Sequence, residues 1–432
     1  MYTNRILRNA SWIIVCKMFQ SVFALIVGML SARYLGPANF GVINYAASVV
    51  AFAIPLMQLG ISNIIVQEIV NTNNSEGAIL GSSIILRLIS SFLCIIGVLV
   101  FAVITNSGEN ETIIVCFLYS LSLLFQSFEL IQSWFQARLL SKYTSVISLI
   151  AYVIMSLYKI FLLITKKNIY WFALANSIDF IIIALFSYFF YRFLNGQKWS
   201  FSWTTGAKLL SKSKYYIIPG MMVAMFIQTD KVMIKFMLND SSTGYYSAAI
   251  YCASLSSFVF AAIIDSVRPS IFENHLHDAK TFEKTIIKLY SVIIYLSLFQ
   301  SLLMTFFSKW IVLILFGDSF IPAINSLRIV VWYTTFSYLG TIRNIWILCE
   351  NYQRYLWIIN LLGVVANITL NYFLIHLMGI DGAAWASLFT QFFTNVIVGY
   401  LIKPIRYNNT LMKKSLNPIH IVNLFKFLIN NH

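Results

Sequence analysis

Apolar runs of about twenty residues, separated by short polar punctuation, recur along the whole chain, and about 20 residues is the length of helix that crosses a hydrocarbon layer roughly 30 Å thick. Twelve such stretches are read, at residues 12–32, 42–63, 79–104, 112–136, 144–165, 170–194, 215–238, 245–267, 286–307, 323–347, 356–378 and 383–404. A backbone in lipid must satisfy its own hydrogen bonds, so each stretch is expected to be a helix. The pattern predicts an all-α polytopic membrane protein with about twelve transmembrane helices. The longest loops, 195–214 and 268–285, are too short to bury a soluble catalytic core. The first run has no small-residue cleavage site and passes straight into another span, so it is read as retained and not as a cleaved signal.

The punctuation also repeats. After the first run, Leu35-Gly36-Pro37-Ala38-Asn39-Phe40-Gly41 ends one helix and releases the next. After the seventh, Leu238-Asn239-Asp240-Ser241-Ser242-Thr243-Gly244 has the same Leu-to-Gly spacing, and Ile169–Ala175 is echoed at Ile380–Ala386. Two six-helix lobes are implied, running in the same direction around a central cavity, because parallel repeats usually hold the substrate route between them. The expected boundaries are 1–194 for the first lobe, 195–214 for a linker on the inner membrane surface, 215–404 for the second lobe and 405–432 for a cytoplasmic or interfacial tail.

Composition sharpens this picture. The chain is 59% hydrophobic and 10% charged, too little polar surface to cover a soluble globule. Its net charge of +15 reports topology and anionic lipid headgroups, with no nucleic-acid partner expected. Lys and Arg gather in alternate loops, including the cluster Arg192, Lys198, Lys208, Lys212 and Lys214, while the opposite side carries Arg33, Lys166, Lys167 and Lys309. The positive-inside rule then puts both termini in the cytoplasm. The five cysteines lie in or beside spans without a CxxC, and His275-x-His277 has no companion ligands in sequence. No metal or cofactor is expected.

Charges inside the spans are costly and hence informative. The seventh stretch carries Asp230, Lys231 and Lys235, and Asp230 lies roughly 22 Å along a helix from Tyr215, well inside the hydrocarbon layer. Neighbours on a helix diverge by about 100°, so Asp230 and Lys231 are not fully explained as one pair. Elsewhere Lys159 and Asp179 are read as a hairpin ion pair, Asp265 with Arg268 as an i, i+3 pair, and Arg343, Glu129 and Lys235 as near enough to span ends to snorkel. The remaining cavity candidates are Lys231, Asp230, Arg87 and Arg328, with Lys17 of the first span either snorkelling or lining the passage. Tyr245 and Tyr246 are candidates for sugar stacking or for a membrane-interface belt. Pro55, deep in the second stretch, is the candidate kink, whereas Pro219 reads as a helix start.

Several stretches carry a family likeness: Ala32-Arg33-Tyr34-Leu35-Gly36-Pro37 through Phe40-Gly41, Pro55-Leu56-Met57-Gln58-Leu59-Gly60-Ile61-Ser62-Asn63, Thr229-Asp230-Lys231-Val232-Met233-Ile234 and Gly379-Ile380-Asp381-Gly382-Ala383-Ala384-Trp385-Ala386. In these the chain resembles the Wzx-type O-antigen flippases of the polysaccharide transporter branch, whose superfamily also holds multidrug extruders. One departure is Gln67-Glu68, where many relatives place an Arg-Glu pair. The resemblance implies transfer of an undecaprenyl-diphosphate-linked oligosaccharide between leaflets of a bacterial inner membrane, without enzymatic chemistry. It implies membrane lipids, and the polysaccharide polymerase and chain-length machinery, as partners. Lys231, Arg87 and Arg328 would then contact the anionic head group, and Asp230 or Glu129 would serve any ion coupling. The rival reading is a cation-coupled multidrug antiporter of the same fold, which would want acidic residues facing its cavity. The first span has none, and carries Lys17.

Overall fold

The computed structural model describes residues 2–71 and 75–417, with side chains from Ile26 onward; the side chain of Lys17 and the tail beyond residue 417 lie outside the described residues. Every regular element among the described residues is helical, and each of the twelve apolar stretches is helical over most or all of its length. Among the described residues, eight helices are long and apolar enough to cross a membrane, or ten if each of two bent pairs, Asp240–Ser254 with Ser257–His277 and Ile380–Leu401 with Lys403–Lys414, is one span. The protein is a multi-pass membrane protein. It divides into two compact units, Met1–Val232 and Met233–His432.

In the first unit, α1 (Tyr2–Gln58) contains both of the first two apolar stretches, broken where the sequence places a turn. Gly36 there has φ 72 and ψ 172, a conformation that only glycine adopts freely, and Pro37 restarts the helix. The break in α1 is at Gly36, where the sequence places the turn, and Pro55 lies within helical dihedrals. Leu59 and Gly60, both at positive φ, end the helix. There follow α2 (Ile65–Asn71), α3 (Glu76–Thr105), α4 (Asn110–Ser120), α5 (Ser122–Gln126), a 3₁₀ turn at Ser127–Glu129, α6 (Leu130–Ala137), α7 (Ser141–Ile164) and α8 (Ile169–Phe193). One core packs Tyr45, Ala46 and Val49 of α1 against Ile95, Val98 and Ala102 of α3 and Val115 of α4. A second gathers Ile61, Ile65, Ile84, Ile131, Trp134 and Phe135.

The segment after α8 packs on α3, because Gly77 and Gly81 let backbone approach backbone. A Cβ at residue 77 would sit 2.2 Å from the Lys198 carbonyl oxygen, and one at 81 would sit 2.5 Å from that of Ser200. Gly77 N donates to Gln197 Oε1 at 2.9 Å, and Ser200 N to Gly77 O at 3.2 Å. Ser202 then caps α9 (Trp203–Ser213), accepting from Thr205 N at 3.3 Å. Lys212 pairs with Glu68 at 2.5 Å, and Ser213 Oγ donates to Leu59 O at 2.7 Å. Next comes α10 (Ile217–Met237), with Pro219 in its first turn as the sequence predicts.

In the second unit, Asn239 caps α11 (Asp240–Ser254), accepting from Ser242 N at 2.8 Å, and α12 (Ser257–His277) follows after a 43° bend. Asp278 caps the long α13 (Ala279–Phe316), accepting from Lys280 N at 2.9 Å and Thr281 N at 3.3 Å. α13 packs along α14 (Ala323–Cys349), which also contacts α11. α15 (Leu356–Met378) and α16 (Ile380–Phe392) form a tight hairpin around Gly379, at φ 60. A π-helical turn, Phe393–Ile397, leads to α17 (Val398–Leu401) and α18 (Arg406–Lys414). Ile286, Tyr290, Ile293, Ile342, Trp346 and Ile405 are at the centre of this unit's core.

Candidate functional site

The first unit concentrates charge in its interior. Arg87, on α3, is 1% exposed and donates through Nη2 to the Ser62 hydroxyl, while its Nε has no hydrogen-bond partner. Glu129, half-buried at the end of the 3₁₀ turn, is within electrostatic reach of Arg87 on one side and of Asp179 of α8 on the other. Asp179 in turn interacts with Lys159 of α7. Two cations and two carboxylates, from four elements, therefore form one balanced group. Isolated charges would each cost at least about 2.5 kcal/mol in hydrocarbon, so the group holds charges that no one helix could carry alone.

Two expectations change here. Glu129 is not snorkelling to a span end; it joins the interior group facing Arg87. Lys159 and Asp179 interact through the field, without the direct ion pair that the hairpin reading supposed. Lys159 and Asp179 were expected to be neighbours, but nothing in the sequence points to Arg87 and Glu129 joining them, since the four are spread over about ninety residues and four elements.

On α10, Asp230 is 6% exposed and Lys231 half-buried. Lys231 Nζ donates to Gln228 Oε1 at 3.4 Å, and the same oxygen accepts from Ser48 Oγ of α1 at 2.9 Å. A polar seam thus ties the cation of α10 to the α1 segment after Gly36. Lys235 does not snorkel either, being paired with Asp240 at 2.6 Å.

In the second unit, Arg328 is exposed on α14, donating from Nε to Ser308 Oγ at 2.8 Å and from Nη1 to Asn325 Oδ1 at 3.4 Å. Asp265 and Arg268 form the expected i, i+3 pair, at 3.2 Å and exposed to solvent or headgroups. Arg343 overturns its reading: it is 5% exposed and donates through Nη1 to the Thr394 carbonyl at 2.6 Å, inside the π-helical turn. Gly340 makes room, for a Cβ there would sit 2.3 Å from Asn395 Oδ1. Tyr246, a sugar-stacking candidate, is buried against Ser387 Oγ at 3.0 Å, and Tyr245 meets the Phe320 ring edge-to-face at 6.1 Å between centroids.

Sequence reasoning also missed Glu76, 2% exposed at the start of α3. Its carboxylate accepts from Trp134 Nε1 at 2.8 Å and pairs with Arg138. Its position in an α3 first turn, beside two glycines four residues apart, was the available signal.

A family model described as "Polysaccharide biosynthesis protein" matches residues 6–275. The chain belongs to that family. No curated protein matches the chain by sequence. Among solved structures, the lipid II flippase MurJ in an inward closed conformation superposes with TM-score 0.74, covering 97% of this chain and 93% of that one at 14% identity. An inward-facing multidrug resistance MATE family transporter of the MOP superfamily gives TM-score 0.66, 91% and 96% coverage and 15% identity. An outward-facing multidrug resistance MATE family transporter of the MOP superfamily gives 0.62, 95%, 96% and 12%. At these identities the likeness is one of fold, and the fold of this polysaccharide biosynthesis family member is that of flippases and exporters.

Proposed function

We propose that the protein is a flippase that moves an undecaprenyl-diphosphate-linked oligosaccharide, such as an O-antigen or capsule repeat unit, from the cytoplasmic to the periplasmic leaflet of a bacterial inner membrane. The observation that carries this reading is membership of a polysaccharide biosynthesis family by a chain with a transporter fold and buried cations. A diphosphate with hydroxyl-rich sugars needs a polar, cationic route, whereas the polyprenyl tail is at home in lipid. Lys231 and Arg328 are the head-group contacts in this proposal, with Arg87 reached when its Ser62 bond opens, and Asp230 and Lys17 lining the same passage. The 1–194 and 215–404 lobes rock about the linker to expose it alternately, with both termini in the cytoplasm. The buried Asp230 and half-buried Glu129 are the groups through which an inward proton or sodium ion would couple.

The outward step carries negative charge down an inside-negative potential, worth about 2.3 kcal/mol per charge per 100 mV. Nothing in this cycle requires a covalent step, so the proposal is transport and not catalysis. Complementation of a flippase-deleted strain carrying the matching sugar cluster tests it. Wild type and Lys231→Arg are expected to restore surface polysaccharide, and Lys231→Ala, at equal membrane level, is not. Export of lipophilic cations without restored polysaccharide would replace this reading with the multidrug antiporter.

A further inference from the structure

Buried polar atoms without a partner are rare, and each calls for an explanation. In the second unit several of them gather in one region. Arg343 of α14 uses Nη1 on the Thr394 carbonyl and Nη2 on the Asn344 amide, which leaves its Nε without a hydrogen-bond partner among the described residues. Trp346, 2% exposed, is one turn further along the same helix face, and its indole Nε1 is likewise unpartnered. Asn408 of α18, 1% exposed, accepts from the Tyr290 hydroxyl at 2.9 Å through Oδ1, and its Nδ2 has no acceptor. Tyr290 of α13 links these groups, since it is also within electrostatic reach of Arg343 and shares a core with Trp346.

Charge and donor type narrow what fits there. Arg343 is a full positive charge, 5% exposed, and Tyr290 is the group that acts on it electrostatically, with no carboxylate beside it. No acid is hidden elsewhere, because all fifteen Asp and Glu of the chain are among the described residues. Glu350, two turns beyond Arg343, is engaged with His275 at 3.5 Å. The three unpartnered groups are all N–H donors. A water molecule among them would leave its own two hydrogens without acceptors, whereas an anion takes every donor and offsets the guanidinium. The unpartnered acceptor of the region, Asn409 Oδ1, is turned toward α17, where a Cβ on Gly399 would sit 2.3 Å from it.

We propose that Arg343, Trp346 and Asn408 bind a small monovalent anion of the halide class, which serves as the counter-charge of Arg343. One guanidinium offsets one negative charge, so a divalent oxyanion would leave an excess in the core. The anion ties α14 to α18 beside Tyr290, and the Thr394 bond of the same arginine then fixes the π-helical turn. Without it a buried charge is left uncompensated, so the halide contributes to the stability of the folded chain. This site is independent of the transport reading and stands or falls without it.

The test uses the full-length protein in detergent, melted at constant ionic strength while chloride replaces gluconate, an anion too large for a buried site. The melting temperature is expected to rise and then saturate, by about 3–6 °C once chloride is at ten times its dissociation constant. Bromide should act as chloride does. Asn408→Asp keeps the acceptor for Tyr290 and puts a carboxylate oxygen in place of Nδ2, so it supplies the counter-charge from within the chain. In this variant the chloride response is expected to fall below about 1 °C, with melting in gluconate no lower than that of wild type. A wild-type protein indifferent to chloride would overturn the site, and so would an equal response in Asn408→Asp, which would mark a general salt effect. Wild type also gives a reading that needs no variant: the protein should broaden the chloride NMR line, and bromide at equal ionic strength should narrow it again. A line that the protein leaves unchanged, or that bromide fails to narrow, would overturn the proposal.

Discussion

The two units bury cations by opposite means. In the first, Arg87 is within electrostatic reach of the carboxylate of Glu129, which is in turn within reach of Asp179, and Asp179 of Lys159. In the second, Arg343 is as deeply buried, yet its hydrogen bonds among the described residues go to a backbone carbonyl in the π-helical turn and to the Asn344 amide, 3.1 Å away. Around it the second unit uses neutral groups. Tyr290 donates to Asn408 Oδ1 at 2.9 Å, Asn395 Nδ2 to Gln391 Oε1 at 2.7 Å and Asn409 Nδ2 to Val396 O at 2.7 Å. A paired interior can respond to a moving charge, because each member's environment depends on the others. A carbonyl-held arginine is a fixed part of the packing, and π turns expose the carbonyl that such a group needs.

The comparison can be broken most sharply at Arg87. Arg87→Met leaves Glu129 without its main counter-charge and is expected to destabilise by about 3 kcal/mol or more, read as a lowered melting temperature in detergent. Adding Glu129→Gln should recover at least about 1 kcal/mol of that, the coupling expected of residues in one network. Arg343→Met should cost roughly 1–3 kcal/mol through its unsatisfied carbonyl partner, with no recovery from neutralising any single acid. Recovery there would erase the distinction between the units.

Gly340→Ala sharpens the second side. Its Cβ would fall 2.3 Å from Asn395 Oδ1, so the Asn395 side chain must shift and strain its bond to Gln391, at about 1–3 kcal/mol. The smallest effect is expected at Asp278, outside the spans, whose carboxyl is held below the usual carboxylate range by the Thr281 hydroxyl and backbone N–H. A depressed carboxyl contributes stability that is present above its ordinary pKa and lost as pH falls through the folded value. Asp278→Ala should therefore lower the melting temperature slightly near neutral pH and leave it unchanged at acid pH below the folded value, flattening the acid limb of the melting profile.

The spans were legible because length and apolarity alone decide which segments can sit in lipid, and Gly36-Pro37 was legible because glycine followed by proline has few other uses. Polar chemistry was legible only in part. The snorkelling reading of Glu129 and Arg343 used distance from a span end, but what keeps these groups inside is a partner from another helix, and pairing between distant elements leaves no mark on hydropathy. The segment 195–214 looked like a surface linker from its Trp, Ser and Lys content. Its packing depends on two missing side chains, at Gly77 and Gly81, more than a hundred residues earlier. The π turn at Phe393–Ile397 sits in a mixed run, with Thr394 and Asn395 between apolar residues, that carries no mark of a π helix.

The most direct test of the transport account is a flipping assay with the purified protein in vesicles of defined lipid, using fluorescent undecaprenyl-diphosphate oligosaccharide on one side and a membrane-impermeant quencher or glycosidase on the other. The account predicts protein-dependent transfer that is lost in Lys231→Ala and kept in Lys231→Arg. Vesicles that leave the oligosaccharide on its original leaflet while moving a lipophilic cation against a sodium or proton gradient would contradict it.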